Sequence, residues 1–427
     1  MRGLGLQGLE TASLRDLGDA AREVMDRRLR PKGGRPIVVA FSGGGDSLAL
    51  LLIAQVWAAR TRRPLMALTV DHGLSAESER WVDACARAAG RLDVGFRALV
   101  WEGAKPAVGL PAAARAARHK LLAEAARQLG ARVILMGHTA DDVLEARLMR
   151  EAGASTPTPF EWAPSPAWPD GRGLFLLRPL LTARRAAIRT WLARRGESWI
   201  DDPANADARF ARPRVRALAA SRAAEPQSQP PALALAETAV EEAGAFSIPA
   251  AALRAASRAE VERLLALTCV CAGGRSRLPT AARVRALADR VMGDAASVAT
   301  LAGARVEVSA DRVLICREPG EAARGGLGAQ PLPPGAPIVW DGRFQLKAIS
   351  EGLAVRRLAG LSRRLPPAQQ AALLALPPAV RAGLPVIVAP DGGVACPVLE
   401  EVPGVKIKPL VRKRLRAAAG LVSREPD

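Results

Sequence analysis

A chain of 427 residues, 49% of them apolar, has room for two or three domains with cores of their own. Its 61 basic and 42 acidic side chains leave a formal charge of +19, an excess, mostly arginine, that fits a polyanionic partner. The five scattered cysteines (Cys85, Cys269, Cys271, Cys316, Cys396), an acidic N-terminus without an apolar run, and no stretch near the roughly twenty residues of a membrane span exclude a disulfide scaffold, a signal peptide and a transmembrane helix, so a soluble cytoplasmic protein is expected.

In chain order, the first half alternates short apolar runs with helical patterns. Strands are expected at Ile37–Phe41, Leu65–Val70, Phe96–Val100 and Val133–Met136, separated by helices at Ser47–Arg60, Glu77–Gly90 and Pro111–Leu129. That alternation is the signature of an α/β fold with a doubly wound parallel sheet, Rossmann-like in outline. A first domain is expected over 1–217, followed by a linker over 218–232, where Pro, Gln and Ser replace apolar residues. Residues 233–318 read as a helical domain with short strands near its end, 319–336 as a second linker rich in Gly and Pro, and 337–427 as a small α+β module.

Between the first strand and the first of these helices stands Ser42-Gly43-Gly44-Gly45-Asp46-Ser47. Glycines let a backbone approach a ligand without Cβ clashes, and the unpaired N–H groups of a helix start favour a phosphate. The Lys-Ser/Thr of the Walker loop and the third glycine of the dinucleotide fingerprint are both missing. The pattern resembles the PP-loop, S-G-G-x-D-S, of the ATP pyrophosphatases, which split ATP between its α and β phosphates. That resemblance implies ATP binding by Ser42, Gly43, Gly44, Gly45, Asp46 and Ser47, with Mg²⁺ held by Asp46, since a carboxylate beside a pyrophosphate is a reasonable ligand for it. Asp71-His72-Gly73 and Gly137-His138 fall at the ends of the second and fourth strands, on the crevice that such sheets use for ligands.

Gly137 to Glu145 follows the fourth strand and opens a helix. His138, Asp141 and Glu145 stand on it at i, i+3 and i+7 and share a face, with Asp142 beside them. Such a cluster can position a cationic substrate, bind Mg²⁺ or move a proton. Helix capping by Thr139 and the Asp pair is the structural alternative.

Taken with Val70-Asp71-His72-Gly73-Leu74, Arg178-Pro179-Leu180-Leu181 and the stretch from Trp199 to Arg216, these motifs resemble the tRNA(Ile)-lysidine synthase family from about Pro36 to Arg216. The family converts the wobble cytidine of an isoleucine tRNA to lysidine. The resemblance implies ATP and Mg²⁺ as cofactors, with free L-lysine and the isoleucine tRNA bearing a CAU anticodon as partners and no membrane. It leaves the oligomeric state, a homodimer included, open. It also implies that Asp71 and His72 line the nucleotide crevice and that Arg115 and Arg118 meet ATP or the activated base. His138, Asp141, Asp142 and Glu145 would handle lysine and the cytosine, and Asn205, Arg209, Arg212 and Arg216 would hold the tRNA at the edge of the site. The chain departs from the family pattern at Ala146, Pro213, His119 and Phe210, the last two standing where the family has Tyr, a residue this chain lacks entirely.

Two rivals are weaker. A PP-loop tRNA thiolase needs catalytic cysteines or an iron–sulfur site, which the cysteine spacing does not offer. An RNA-binding module with a degenerate nucleotide site would not need the intact loop and carboxylates. Basic residues crowd Arg178 to Arg216 and the tail from Lys406 to Arg416, both expected to meet tRNA phosphates.

Overall fold

Apolar runs without polar alternation become inner strands when both faces of a sheet are covered. The computed structural model, which describes residues 17–153, 156–201, 215, 228–293 and 295–427, shows this for β1 (Ile37–Ala40) and β4 (Val133–Met136), buried at every position. They pair in parallel, Val38 opposite Ile134. β2 (Leu65–Asp71) and β3 (Gly95–Val100) extend the sheet on the β1 side, and β6 (Phe175–Leu177) and β5 (Trp162–Pro164) extend it beyond β4, in the order β3-β2-β1-β4-β6-β5. The helices α1 (Leu17–Arg28), α2 (Gly45–Thr61), α3 (Ser78–Arg91), α4 (Leu110–Gln128), α5 (Ala140–Glu151) and α6 (Arg185–Ala193) flank it.

The expected strands and helices all appear, displaced by at most two residues at their ends. β5 and β6 are absent from the sequence reading because three residues, one of them Pro164, carry no period. β5 runs antiparallel to β6, so the sheet is mixed and not wholly parallel. On this edge the side-chain amide of Gln229 takes a strand's place: the Trp162 N–H donates to its Oε1 at 3.2 Å and its Nε2 donates to the Trp162 carbonyl at 2.7 Å. A blunted edge resists further pairing.

The chain forms two compact units, Met1–Pro230 with Val422–Asp427, and Pro231–Leu421. The stretch from Leu233 to Met292, helical by pattern, holds a 3₁₀ turn (Ala234–Thr238) and two strands, β7 (Val240–Glu242) and β8 (Ala245–Pro249), before α7 (Ala250–Ala255), α8 (Arg258–Ala272) and α9 (Ala281–Met292). β8 pairs with β11 (Arg312–Arg317), which continues through β10 (Ala304–Val308) to β9 (Ser297–Leu301). A five-stranded antiparallel sheet results, and Phe246, Ile248 and Ile315 bury against Val261, Leu264 and Leu265 of α8. The segment read as a second linker, 319–336, holds a 3₁₀ turn at Pro319–Arg324 and the short strand β12 (Gln330–Pro331). Beyond it lie a three-stranded sheet of β13 (Ile338–Trp340), β14 (Phe344–Ala348) and β18 (Val405–Pro409), and a four-stranded one in which β15 (Ala354–Arg357), β16 (Pro385–Val388) and β17 (Val394–Ala395) join β12. The linker at 218–232 lies largely outside the described residues. Among the described residues no helix is long and apolar enough to cross a membrane.

In the first unit, the last six residues are stitched to α1 and α2 and their connections. Arg63, whose side chain is fully buried, donates from both terminal nitrogens to the Glu425 carboxylate at 2.6 and 2.8 Å. The Glu425 N–H reaches the Arg28 carbonyl, and Trp162 Nε1 donates to the Val422 carbonyl at 2.7 Å. Removing one partner of a buried ion pair leaves the other charge uncompensated. Glu425→Ala is therefore expected to lower the unfolding free energy of this unit by about 3 kcal/mol, read by urea titration, whereas Asp427→Ala at an exposed pair should change it by less than about 1 kcal/mol.

Candidate active site

The strand order reverses between β1, which leads toward β2 and β3, and β4, which leads toward β6. At such a switch point the loops leaving adjacent strands turn apart and open a crevice. Both neighbouring loops here carry chemistry. After β1, Ser42, Gly43 and Gly44 lead into α2, whose N-cap, Gly44, offers no side chain to the first helical N–H groups. Ser47 braces the loop from inside, accepting from the Ser42 N–H at 3.2 Å and donating to the Gly44 carbonyl at 2.9 Å. Gly43 has φ +80°, and a Cβ there would lie 2.5 Å from Ile200 Cδ1. After β4, a Cβ on Gly137 would lie 3.1 Å from the Asp46 carbonyl and the Ser47 nitrogen. The two loops are thus in backbone contact, close enough that a side chain at Gly137 would force the backbone at Asp46 and Ser47 to shift.

The carboxylates that follow Gly137 divide their work. Asp142 accepts from the Thr139 N–H at 2.8 Å and from its hydroxyl at 2.9 Å, capping its own helix α5. Asp141 caps a different helix: its Oδ2 accepts the Arg185 N–H at 2.7 Å at the start of α6, and its Oδ1 lies 3.1 Å from Arg184. Glu145, with a side chain 1% exposed, lies deepest. All converge on Arg185, whose guanidinium sits 3.0 Å from Asp46, 3.2 Å from Glu145 and 3.5 Å from Asp142. Burial works against both charges. It raises the Asp46 carboxyl above its ordinary value despite Arg185, while for Arg185 itself the Asp142, Asp46 and Glu145 carboxylates outweigh burial and raise its pKa further. In the sequence Arg185 is one of a basic crowd. Its position four residues after Leu181, at a helix start where the dipole disfavours a cation, is the available signal.

His138 lies beside this cluster with a fixed tautomer. Arg178 Nε donates to its Nδ1 at 3.1 Å, so Nδ1 carries the lone pair and Nε2 the proton. Burial, together with the Arg178, Arg118 and Arg115 cations, holds it neutral, well below the usual histidine range. Arg115 and Arg118 of α4 thus stand within electrostatic reach of the site. His72 and Trp101, which follow β2 and β3, meet edge to face at 6.0 Å, with Lys105 over the Trp101 ring at 4.4 Å. Trp101 escaped the sequence reading. Asp71 accepts from the Gly73 N–H at 2.8 Å and shapes the turn that presents His72. Trp199 packs on Gly45, and a cavity of about 340 Å³ lined by Gly43, Leu48, Arg87, Trp199 and Ile200 adjoins the loop. Among the described residues the buried His72 Nδ1 and Trp199 Nε1 have no hydrogen-bond partner. Orphaned polar atoms, a glycine cradle and an uncapped helix start fit a phosphate-bearing nucleotide.

Several of the arginines expected to meet tRNA have partners within the protein. Within the basic crowd from Arg178 to Arg216, Arg178, Arg184 and Arg185 bind side chains of the site, Arg189 pairs with Asp201 at 3.2 Å, and Arg195 stacks over Trp191 at 3.8 Å. In the tail, Arg414 donates to the Val270 and Arg275 carbonyls, and Arg416 pairs with Glu237. Each of these arginines has a partner within the protein in this structure. Asn205, Arg209, Arg212 and Arg216, with Phe210 and Pro213, lie outside the described residues.

All three histidines of the chain are held below their ordinary pKa, His119 down to about 3 by burial and the Arg115, Arg118 and Arg178 cations. The folded chain keeps His119 and His138 neutral while the unfolded chain protonates them near 6.5. Their depressed values therefore leave stability intact above that pH and erode it below, by roughly 1.4 kcal/mol per pH unit for each. His119→Tyr should flatten the decline between about pH 6 and pH 4 by one proton's worth, measured as unfolding free energy at each pH; an unchanged slope would mean that His119 is protonated in the fold.

Residues 18–221 match the family model of the PP-loop domain. Over 413 residues the chain is 46% identical to the tRNA(Ile)-lysidine synthase of Caulobacter vibrioides, covering 95% of this chain and 98% of that one. The enzyme of the same name from Hyphomonas neptunium is 36% identical over 325 residues, 70% of this chain and 83% of that one. That from Mesorhizobium japonicum is 36% identical over 370 residues, 77% and 76%. With PP-loop, switch-point crevice and near full-length similarity in agreement, the chain belongs to the tRNA(Ile)-lysidine synthase family of the PP-loop ATP pyrophosphatase superfamily.

Proposed function

We propose that the protein ligates L-lysine to C2 of the wobble cytidine of the CAU-anticodon isoleucine tRNA, using ATP and passing through an adenylated tRNA. The observation that carries this reading is the meeting, in one crevice, of a phosphate cradle and a carboxylate cluster suited to an amine. Cytosine O2 is a poor leaving group. Its attack on the α phosphorus of ATP releases pyrophosphate and makes it a good one, and the lysine ε-amine then displaces AMP at C2.

The chain's own groups need supply no covalent nucleophile. The N–H groups at the start of α2 hold the phosphates, and preorganised donors of this kind act where charge develops. Asp46 is the residue that would hold Mg²⁺. The donor set fits, since Mg²⁺ commonly takes one or two carboxylates and completes its shell with phosphate oxygens and water. Among the described residues no group of three His, Cys, Asp or Glu forms a metal cage, which suits an ion that arrives with a nucleotide. When bound, it would neutralise phosphate charge. The lysine ammonium must lose a proton before it attacks, and the Asp142 and Glu145 carboxylates are the acceptors at hand. His138, protonated at Nε2, would donate to an oxygen instead. The five thiols are buried, and burial raises each of them above its ordinary pKa, so no observation favours the thiolase reading.

The partner's charge has a counterpart on the surface of the second unit. Lys347 of β14 lies directly opposite Lys406 of β18, with Lys408 two residues along on the same exposed face. Like charges directly opposite destabilise a strand pair, and a polyanion would relieve that repulsion. Arg412 and Lys413 follow, exposed, in α10 (Val411–Ala418).

Pyrophosphate release that requires the CAU tRNA, followed by AMP formation that requires lysine, tests the reaction; release driven by any tRNA without lysine incorporation would sink it. Asp46→Ala is expected to lower pyrophosphate formation by a factor on the order of 10² or more while tRNA binding stays near the parent's. For the surface, joint neutralisation of Lys347, Lys406, Lys408, Arg412 and Lys413 should flatten the salt dependence of tRNA affinity by about 0.7–0.9 in log–log slope for each phosphate left without a cation. Arg414→Gln, by contrast, should lower stability and leave that slope unchanged, read by fluorescence titration across a salt series.

A further inference from the structure

Arg185 is placed against the ordinary preferences of a cation. It opens α6, where the helix dipole repels positive charge, and its side chain is only 14% exposed. What holds it is the convergence of Asp46, Asp142 and Glu145 on one guanidinium. Three carboxylates share that one guanidinium. The carboxylates come from two elements in backbone contact: Asp46 from the first turn of α2, and Asp142 and Glu145 from α5, with Gly137 pressed against Asp46 and Ser47. Asp142 is further held by Thr139. Arg185 enters from a third element on a long, flexible side chain. The acceptors are fixed and the cation is the part that can withdraw.

We infer that Arg185 is a placeholder, a positioning residue whose guanidinium holds the Asp46, Asp142 and Glu145 carboxylates together in the ligand-free protein and yields its place to an incoming cation. This inference rests on the reading of the site given above. Two substrates of that reaction bring cations, a divalent metal with the nucleotide and an ammonium group on lysine, and both are stabilised by carboxylate oxygens. The withdrawn guanidinium stays beside the loop, since Asp46 lies one residue inside the helix whose start forms the cradle, and there it meets phosphate instead of carboxylate. A resident cation also competes: if it fills the group about nine-tenths of the time, the apparent affinity for any replacement falls about tenfold.

The test uses the full chain without ATP or tRNA, so it can fail while lysine ligation stands, or succeed if ligation fails. Mn²⁺ binding, by the resonance signal of the free ion, and L-lysine binding, by calorimetry, are measured separately on the parent, Arg185→Gln, Arg185→Lys and the double variant Arg185→Gln/Glu145→Gln. Arg185→Gln should bind one of the two cations about tenfold more tightly than the parent, and which one it is identifies the replacement. Arg185→Lys, which keeps a resident charge, should stay near the parent, and the added Glu145→Gln should cancel the gain. A merely structural arginine would alter stability without tightening either cation. If Arg185→Gln folds only when Mg²⁺ or lysine is added, the inference is supported; if it binds neither cation more tightly, or stays unfolded with both present, Arg185 is not a placeholder.

Discussion

The Asp46, Asp142 and Glu145 carboxylates share a half-buried crevice only because the Arg185 guanidinium stands among them. Burial alone drives carboxyl groups toward their neutral form, and three together would repel one another. Arg185 in turn stays at a helix start only because Asp141 caps that helix through its backbone N–H. The site is one electrostatic unit in which each charge is tolerable on account of another, and truncating any member of such a network leaves its partner exposed to the full desolvation cost.

That unit exists because two loops touch. β1 and β4 are neighbours in the sheet although nearly a hundred residues separate them, and the chain returns to β1 only after laying down β2 and β3 on its other side. Gly137 lets the loop after β4 press on the first turn of α2. A Cβ there would crowd the Asp46 and Ser47 backbone, so the placement of the α5 carboxylates beside the glycine loop depends on that glycine. Arg178 adds a second constraint by fixing the His138 ring with its lone pair on Nδ1.

The positive charge of the chain is of two kinds. Many arginines are internal fasteners: Arg63 on Glu425, Arg317 and Arg343 on Asp341, Arg414 on the carbonyls at the end of α8. Others, Lys347 and Lys406 among them, face water with no opposite charge across the strand pair. Net charge counts both alike. Only the second kind is available to a polyanion, and the guanidinium's planar fork explains why arginine dominates the first.

The loop from Ser42 to Ser47, the inner strands and the motif from Gly137 to Glu145 were legible in the sequence because each is a local pattern: an apolar run both faces of which are covered, a glycine turn before a helix, a carboxylate spacing on one helix face. The family resemblance was legible for the same reason, resting on ordered short motifs. What escaped depends on partners far apart in the chain. β5 and β6 are too short to carry a period and are strands only because β4 offers β6 an edge and β6 offers one to β5. The stretch after Leu233 has a helical composition, yet its first strands form because β11, some seventy residues on, pairs with β8. Asp141 and Asp142, adjacent in sequence, cap two different helices, and Arg185, one arginine in a crowd, becomes the hub. Spacing along a helix determines which residues share a face, but which charge meets which is decided by the packing of α6 against α2, because electrostatic pairing depends on distances of about 3 to 4 Å that no local pattern encodes.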